Sequence, residues 1–210
     1  MWQALHTELE PLGLTVITVA LDKAPDDARP YIEAAAPTHP SLVDTDYLLA
    51  DLYNMVNVPT VLWIDEAGVI VRPNDAFFVA DTYSAVTGFH PDKPIAALRA
   101  WAHGEGAALA DGIDARPPAP TEDHQLARTH FALAWWLAQA GRTDEAEPHF
   151  VRAGELAPHD FTIRRGSMLI RGQNPAGPEF FAMVAEWTGA GHRYYEPLAD
   201  LAPHRDERTK

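Results

Sequence analysis

The sequence predicts an α/β fold followed by a small all-α segment, and three observations carry that expectation. Residues 14–21 are a run rich in β-branched side chains, set between stretches with helical apolar spacing. Residues 58–72 read as a strand, a tight turn closed by Gly68 and a second strand. Beyond a proline-rich run at residues 115–121, apolar residues recur at helical spacing only.

Taken in order, Trp2, Leu5, Leu9 and Leu12 share one helix face, and Gly13 supplies the stop. Leu14-Thr15-Val16-Ile17-Thr18-Val19-Ala20-Leu21 reads as a buried strand that ends at Asp22. Pro25-Asp26-Asp27 opens a helix running to Ala36, with proline preset for the first turn and acids at the positive end. Ser41-Leu42-Val43-Asp44 is a short strand, and Thr45 or Asp46 caps a helix through Tyr53. The hairpin follows, entered through Pro59. Residues 73–90, opening with Pro73-Asn74-Asp75, read as an irregular insertion, and Pro91 to His103 as a closing helix with Ile95, Leu98 and Trp101 near one face. This order implies a sheet with a parallel part and an antiparallel edge.

Pro117, Pro118 and Pro120 cannot continue a helix, so the expected organisation is a domain over 1–110, a linker over 111–121, a helical domain over 122–202 and a polar tail over 203–210. Within the helical part, Glu122 to Ala140 carries Leu126, Phe131, Leu133, Ala134, Trp136 and Leu137. Gly141-Arg142-Thr143 breaks it, and Asp144 is expected to cap a partner helix that stops at Pro158. Helices over 160–171 and 177–189 follow, divided by Gly172-Gln173-Asn174-Pro175.

Composition narrows the function. The chain has no cysteine, which excludes a disulfide, a thiolate nucleophile and cysteine-ligated zinc among these residues. A formal charge of −14 without any basic run argues against nucleic acid. Such acidity either keeps a globular chain in solution or recognises a basic partner. No apolar run approaches the roughly 20 residues of a membrane span, and the N-terminus lacks a leader's charged and apolar regions, so the expected location is cytoplasmic. No phosphate-binding loop, dinucleotide fingerprint or nucleophile elbow occurs, and no cofactor is expected.

Asn57-Val58-Pro59-Thr60 followed by Ile64-Asp65-Glu66-Ala67-Gly68-Val69-Ile70, together with residues 13–22 and 41–44, resembles the redoxin and TlpA/ResA-like branch of the thioredoxin superfamily over residues 1–103. The resemblance implies that Pro59 is a cis-proline beside a redox centre, and that Val58, Pro59 and Thr60 line a groove for an extended polypeptide. It also implies a first strand and a Cys-x-x-Cys that no residue here matches, because Met1 falls inside the stretch similar to the family's first helix. The expected sheet is therefore an incomplete thioredoxin-like one. The family's first strand lies between those matching residues 14–21 and 60–64, and without it their edges go unpaired. Either the natural protein is longer than this sequence or the domain has degenerated. A second copy filling the unfilled sheet position would make a homo-oligomer.

Leu133, Ala134, Gly141, Ala146, Phe150, Ala153 and Pro158 resemble the small, aromatic and proline positions of a tetratricopeptide repeat, with His130 where that repeat usually has tryptophan. A single such unit must pack on something else.

Two functional readings follow: a non-catalytic module that binds a protein or peptide, or a thiol–disulfide oxidoreductase or peroxide reductase whose cysteines lie in a preceding segment. Asp22, Asp44 and Asp65 at strand ends cap the following turns or gather around a cation. The ten histidines show no metal-ligand spacing, and no metal site is expected. Trp135 and Trp136 cannot share one helix face, so one of them is available to a partner. Phe180, Phe181, Trp187, Tyr194 and Tyr195 either seal the two domains together or present a surface of their own.

Overall fold

A computed structural model describes residues 1–75, 92–109 and 119–195, and they form a mixed α/β molecule. Its elements are α1 (Trp2–Leu9), β1 (Thr18–Leu21), α2 (Pro25–Ala35), β2 (Ser41–Asp44), α3 (Leu48–Leu52), β3 (Val61–Ile64), β4 (Ile70–Asp75), α4 (Asp92–Ala102), α5 (Glu122–Gln139), α6 (Thr143–Leu156), α7 (Phe161–Ile170) and α8 (Pro178–Gly189). A short 3-10 turn, Glu10–Leu12, extends α1. No helix among the described residues is long and apolar enough to cross a membrane.

Among the described residues the strands form two two-stranded sheets. β1 pairs parallel with β2, and β3 pairs antiparallel with β4. Residues 14–17, expected in the first strand, lie outside it, and Ile17 is 58% exposed. Partner length sets this limit: β1 runs only as far as the four residues of β2 can bond it, from Thr18 opposite Ser41 to Leu21 opposite Asp44. The hairpin forms as expected, with Gly68 at φ 78. Its second strand runs on through Pro73, Asn74 and Asp75, which were expected to open the insertion. Pro73 is tolerated there because the register between Trp63↔Arg72 and Val61↔Asp75 is irregular. Residues 76–90 of the expected insertion lie outside the described residues.

Two expected caps are corrected. Asp44, not Thr45 or Asp46, closes the start of α3: its carboxylate accepts from Leu48 N at 3.1 Å and Leu49 N at 2.8 Å. The helix α6 begins at Thr143 with Arg142 at its N-cap, so Asp144 sits inside the first turn.

The chain divides into two compact units, Met1–Val58 with Pro118–Tyr194, and Pro59–Pro117 with Tyr195–Lys210. This differs from a division at residues 111–121, and the reason lies in the first unit's hydrogen bonds. Arg128 on α5 donates to Asp51 O at 2.7 Å and to Met55 O at 3.2 Å, neutralising the negative end of α3. Phe161 N donates to Val56 O at 2.7 Å, and Asn57 Nδ2 to Tyr194 O at 2.7 Å. Residues 51–57 are thereby bonded to the helices that follow the linker.

Packing supports the same grouping. Gly141, at φ 77, reverses the chain between α5 and α6. Ala127, Ala134, Ala146 and Ala153 are fully buried and small, so the two helices approach closely while Phe131 and Phe150 fill the space between. Tyr47, just before α3, sets its ring edge-on to Phe131 at 5.2 Å and Trp135 at 4.8 Å. Each such buried aromatic contributes about 1.5–3 kcal/mol. Phe161, Met168 and Phe180 make a second cluster between α7 and α8.

In the other unit, Trp63 of β3 stacks on Trp101 of α4 with centroids 5.3 Å apart. Arg72 lies over the Trp63 ring at 4.9 Å, bonds Asp75 at 2.8 Å and donates to Ala108 O at 2.7 Å. Both charges are buried and mutually satisfied, as burial requires.

Candidate functional site

The segment singled out by sequence, Val58-Pro59-Thr60, precedes β3 and spans the boundary between the two compact units. Pro59 is exposed, while Val58 and Thr60 are half-buried. Asn57 before them is buried and anchors the segment: its Nδ2 holds Tyr194 O, and its Oδ1 accepts from Val58 N at 2.9 Å. The Val58 amide is thus engaged by its own neighbour. An extended peptide pairing through Val58 N must first displace the Asn57 side chain. Beyond Thr60, β3 pairs on one side only among the described residues. An open strand edge can accept a further strand through backbone groups alone.

Two of the three aspartates cap the turn that follows their own strand. Asp44 caps α3, and Asp65 Oδ1 accepts from Ala67 N at 3.0 Å and Val69 N at 2.8 Å, closing the hairpin turn. Capping is therefore the role of both. Asp65 belongs to a different compact unit from Asp22 and Asp44. Burial, and secondarily Asp27, pushes the Asp22 carboxyl above its ordinary range. The Tyr47 phenol is driven far upward by burial, with Asp22 and Asp44 adding to the effect and Arg165 opposing it. Among the described residues no group of three or more His, Asp or Glu side chains is arranged to hold a metal ion.

The tryptophan pair separates as expected of neighbours on a helix. Trp135 is buried in the α5–α6 core and Trp136 is 60% exposed. Leu126 and Leu133 are exposed on the same helix, so α5 turns an apolar stripe outward. Most of the C-terminal aromatics pack within the first unit: Phe180 is buried, Tyr194 meets Phe161 at 4.6 Å and Trp187 stacks on His192 at 3.9 Å.

Two groups escaped the sequence reading. In the first, His124 Nε2 donates to Asp160 Oδ2 at 2.7 Å, with both side chains buried, and Arg128 lies 3.6 Å from the same oxygen. Asp160 Oδ1 caps α7 through Thr162 N and Ile163 N. In the second, His130 Nδ1 and His149 Nδ1 meet at 2.8 Å between α5 and α6. Burial lowers the His130 pKa, and His149 and Arg152 lower it further. Both pairings join residues far apart in sequence, so no local motif announces them. The only signal was Asp160 in a capping position before an apolar run.

No protein-family model, no curated protein and no solved structure matches this chain.

Proposed function

We propose that the chain is a thioredoxin-like protein without redox cysteines, joined to a tetratricopeptide-like hairpin, that binds extended polypeptides without catalysis. The observation that carries this reading is that β3, directly after the exposed Pro59, pairs on one side only among the described residues. Backbone pairing at such an edge needs no particular side chain and suits an unstructured partner. The parallel β1–β2 pair and the hairpin with its Asp65–Gly68 turn support the likeness.

The test is fluorescence anisotropy with labelled, unstructured peptides. Saturable binding is expected with a Kd on the order of 10–100 µM, modest because a peptide loses its freedom on ordering. Thr60→Pro removes a backbone donor at the start of the edge and is expected to weaken binding at least about tenfold. Trp136→Ala is expected to leave it unchanged. Loss in the tryptophan variant with none in the proline variant moves the binding surface to α5 and refutes the reading.

The split sheet favours a second reading. Among the described residues β1 and β3 belong to different sheets, and in the family the first strand, which precedes the Cys-x-x-Cys, pairs between their counterparts. In that reading a segment preceding residue 1 supplies the strand and a dithiol that reduces disulfides or peroxide. Insulin reduction by protein made with about 30–40 additional upstream codons, the span of a strand, loop and helix start, supports it; inactivity of that longer protein excludes it.

A further inference from the structure

The described histidines include three close pairs, and they differ in what their ring nitrogens do. His6 and His39 meet edge to face with centroids 5.6 Å apart, both buried. In the His124–His159 pair the His124 Nε2 is committed to Asp160. In the pair His130 and His149 two Nδ1 atoms face one another, 2.8 Å apart, on half-buried rings tilted by 30°.

We propose that His130 and His149 form a divalent transition-metal site that clamps α5 to α6. Imidazole binds such ions at ~2.0–2.1 Å, so two nitrogens on neighbouring coordination positions stand roughly 2.9–3.4 Å apart. The observed separation of 2.8 Å needs to open by roughly 0.1–0.6 Å, with the rings turning so that both Nδ1 lone pairs point at the ion. Preorganisation is built into the helix pair. Ala127, Phe131 and Ala134 on one helix and Ala146, Phe150 and Ala153 on the other lock their register, and each histidine adjoins that buried face. The rings offer nitrogen donors, which suit zinc, nickel or copper rather than calcium or magnesium. Water completes the coordination, since the protein contributes two donors here. Arg152 acts electrostatically on His130 and opposes a cation, although Glu155 holds its guanidinium at 3.0 Å. The 19-residue separation of the two histidines explains why ligand-spacing motifs do not reveal the site.

The experiment is isothermal titration of the untagged full chain with zinc chloride and, separately, nickel chloride. One ion per chain is expected to bind with a Kd of about 1–100 µM. His130→Ala and His149→Ala are each expected to weaken binding at least about tenfold, because each removes half of the protein's donors. Arg152→Gln is expected to tighten it about threefold by removing a like charge. His103→Ala, in the other compact unit, is expected to leave it unchanged. Binding that survives both histidine variants, or no one-to-one binding, overturns the proposal. Should an alanine variant fail to fold, imidazole nitrogen spectra of the unaltered chain decide: zinc is expected to shift both Nδ1 resonances. Unshifted Nδ1 resonances mean a hydrogen-bonded pair only and refute the site.

Discussion

At Asp160 one buried carboxylate serves two helices: Oδ1 closes the first turn of α7, and Oδ2 meets His124 and Arg128 on α5. Asp160→Ala strips the cap and leaves the buried His124 Nε2 without its acceptor, while Arg128 keeps its bonds to Asp51 and Met55. It is expected to lower stability by about 3–5 kcal/mol in urea unfolding, and Asp160→Asn by less because an acceptor remains. His159 gives the pH counterpart. Although His159 is exposed, partial desolvation against the neighbouring side chains lowers its pKa below the ordinary 6.5, His124 and Arg128 add to the depression, and Asp160 opposes it. The unfolded chain therefore takes up this proton first, so the contribution is complete above about pH 6.5, the unfolded value, and fades as pH falls through the folded one. Unfolding midpoints are expected to drop between pH 7.5 and 5, by less in His159→Gln; identical pH profiles for the two proteins contradict this. At this scale the sequence was legible where chemistry is local. Asp44 and Asp65 cap because their own next few amides lie within reach. The His124–Asp160 bond, spanning 36 residues, leaves no local trace.

Among the elements, α7 shows how tightly the first unit's helices fit. A Cβ at Gly166 would lie 2.8 Å from the Tyr47 ring, which is itself held against Phe131 and Trp135. Alanine in place of glycine gains about 1 kcal/mol of helix propensity in an open site. Here the ring cannot retreat, and Gly166→Ala is expected to destabilise by about 1–3 kcal/mol in thermal or urea unfolding. A stabilised variant would mean that Tyr47 is free to move. The helices were legible from apolar spacing because α5, α6 and α7 each bury one face. Strand ends were not. β1 is short because β2 is short, and β4 is long because Asp75 finds a buried arginine, and neither cause lies within the strand concerned.

For the whole molecule, the informative result is that its compact units interleave along the chain. Arg128 reaches back 77 residues to Asp51, and Asn57 reaches forward 137 residues to Tyr194. A proline-rich run marks where a helix cannot continue, but it does not decide which parts pack together. The candidate segment at Pro59 was legible as a motif. The engagement of the Val58 amide by Asn57 was not, because a side chain's hydrogen bond to the next residue depends on its rotamer. That engagement shifts the proposed peptide pairing from Val58 toward Thr60 and β3.

The central claim, a polypeptide-binding strand edge after Pro59, is tested most directly by amide-resolved NMR titration of the full chain with an unlabelled, unstructured peptide. Saturable shifts confined to the amides of residues 60–64, with slowed hydrogen exchange there, are the expected result. Shifts centred on the α5 stripe around Trp136, or none at millimolar peptide, contradict it.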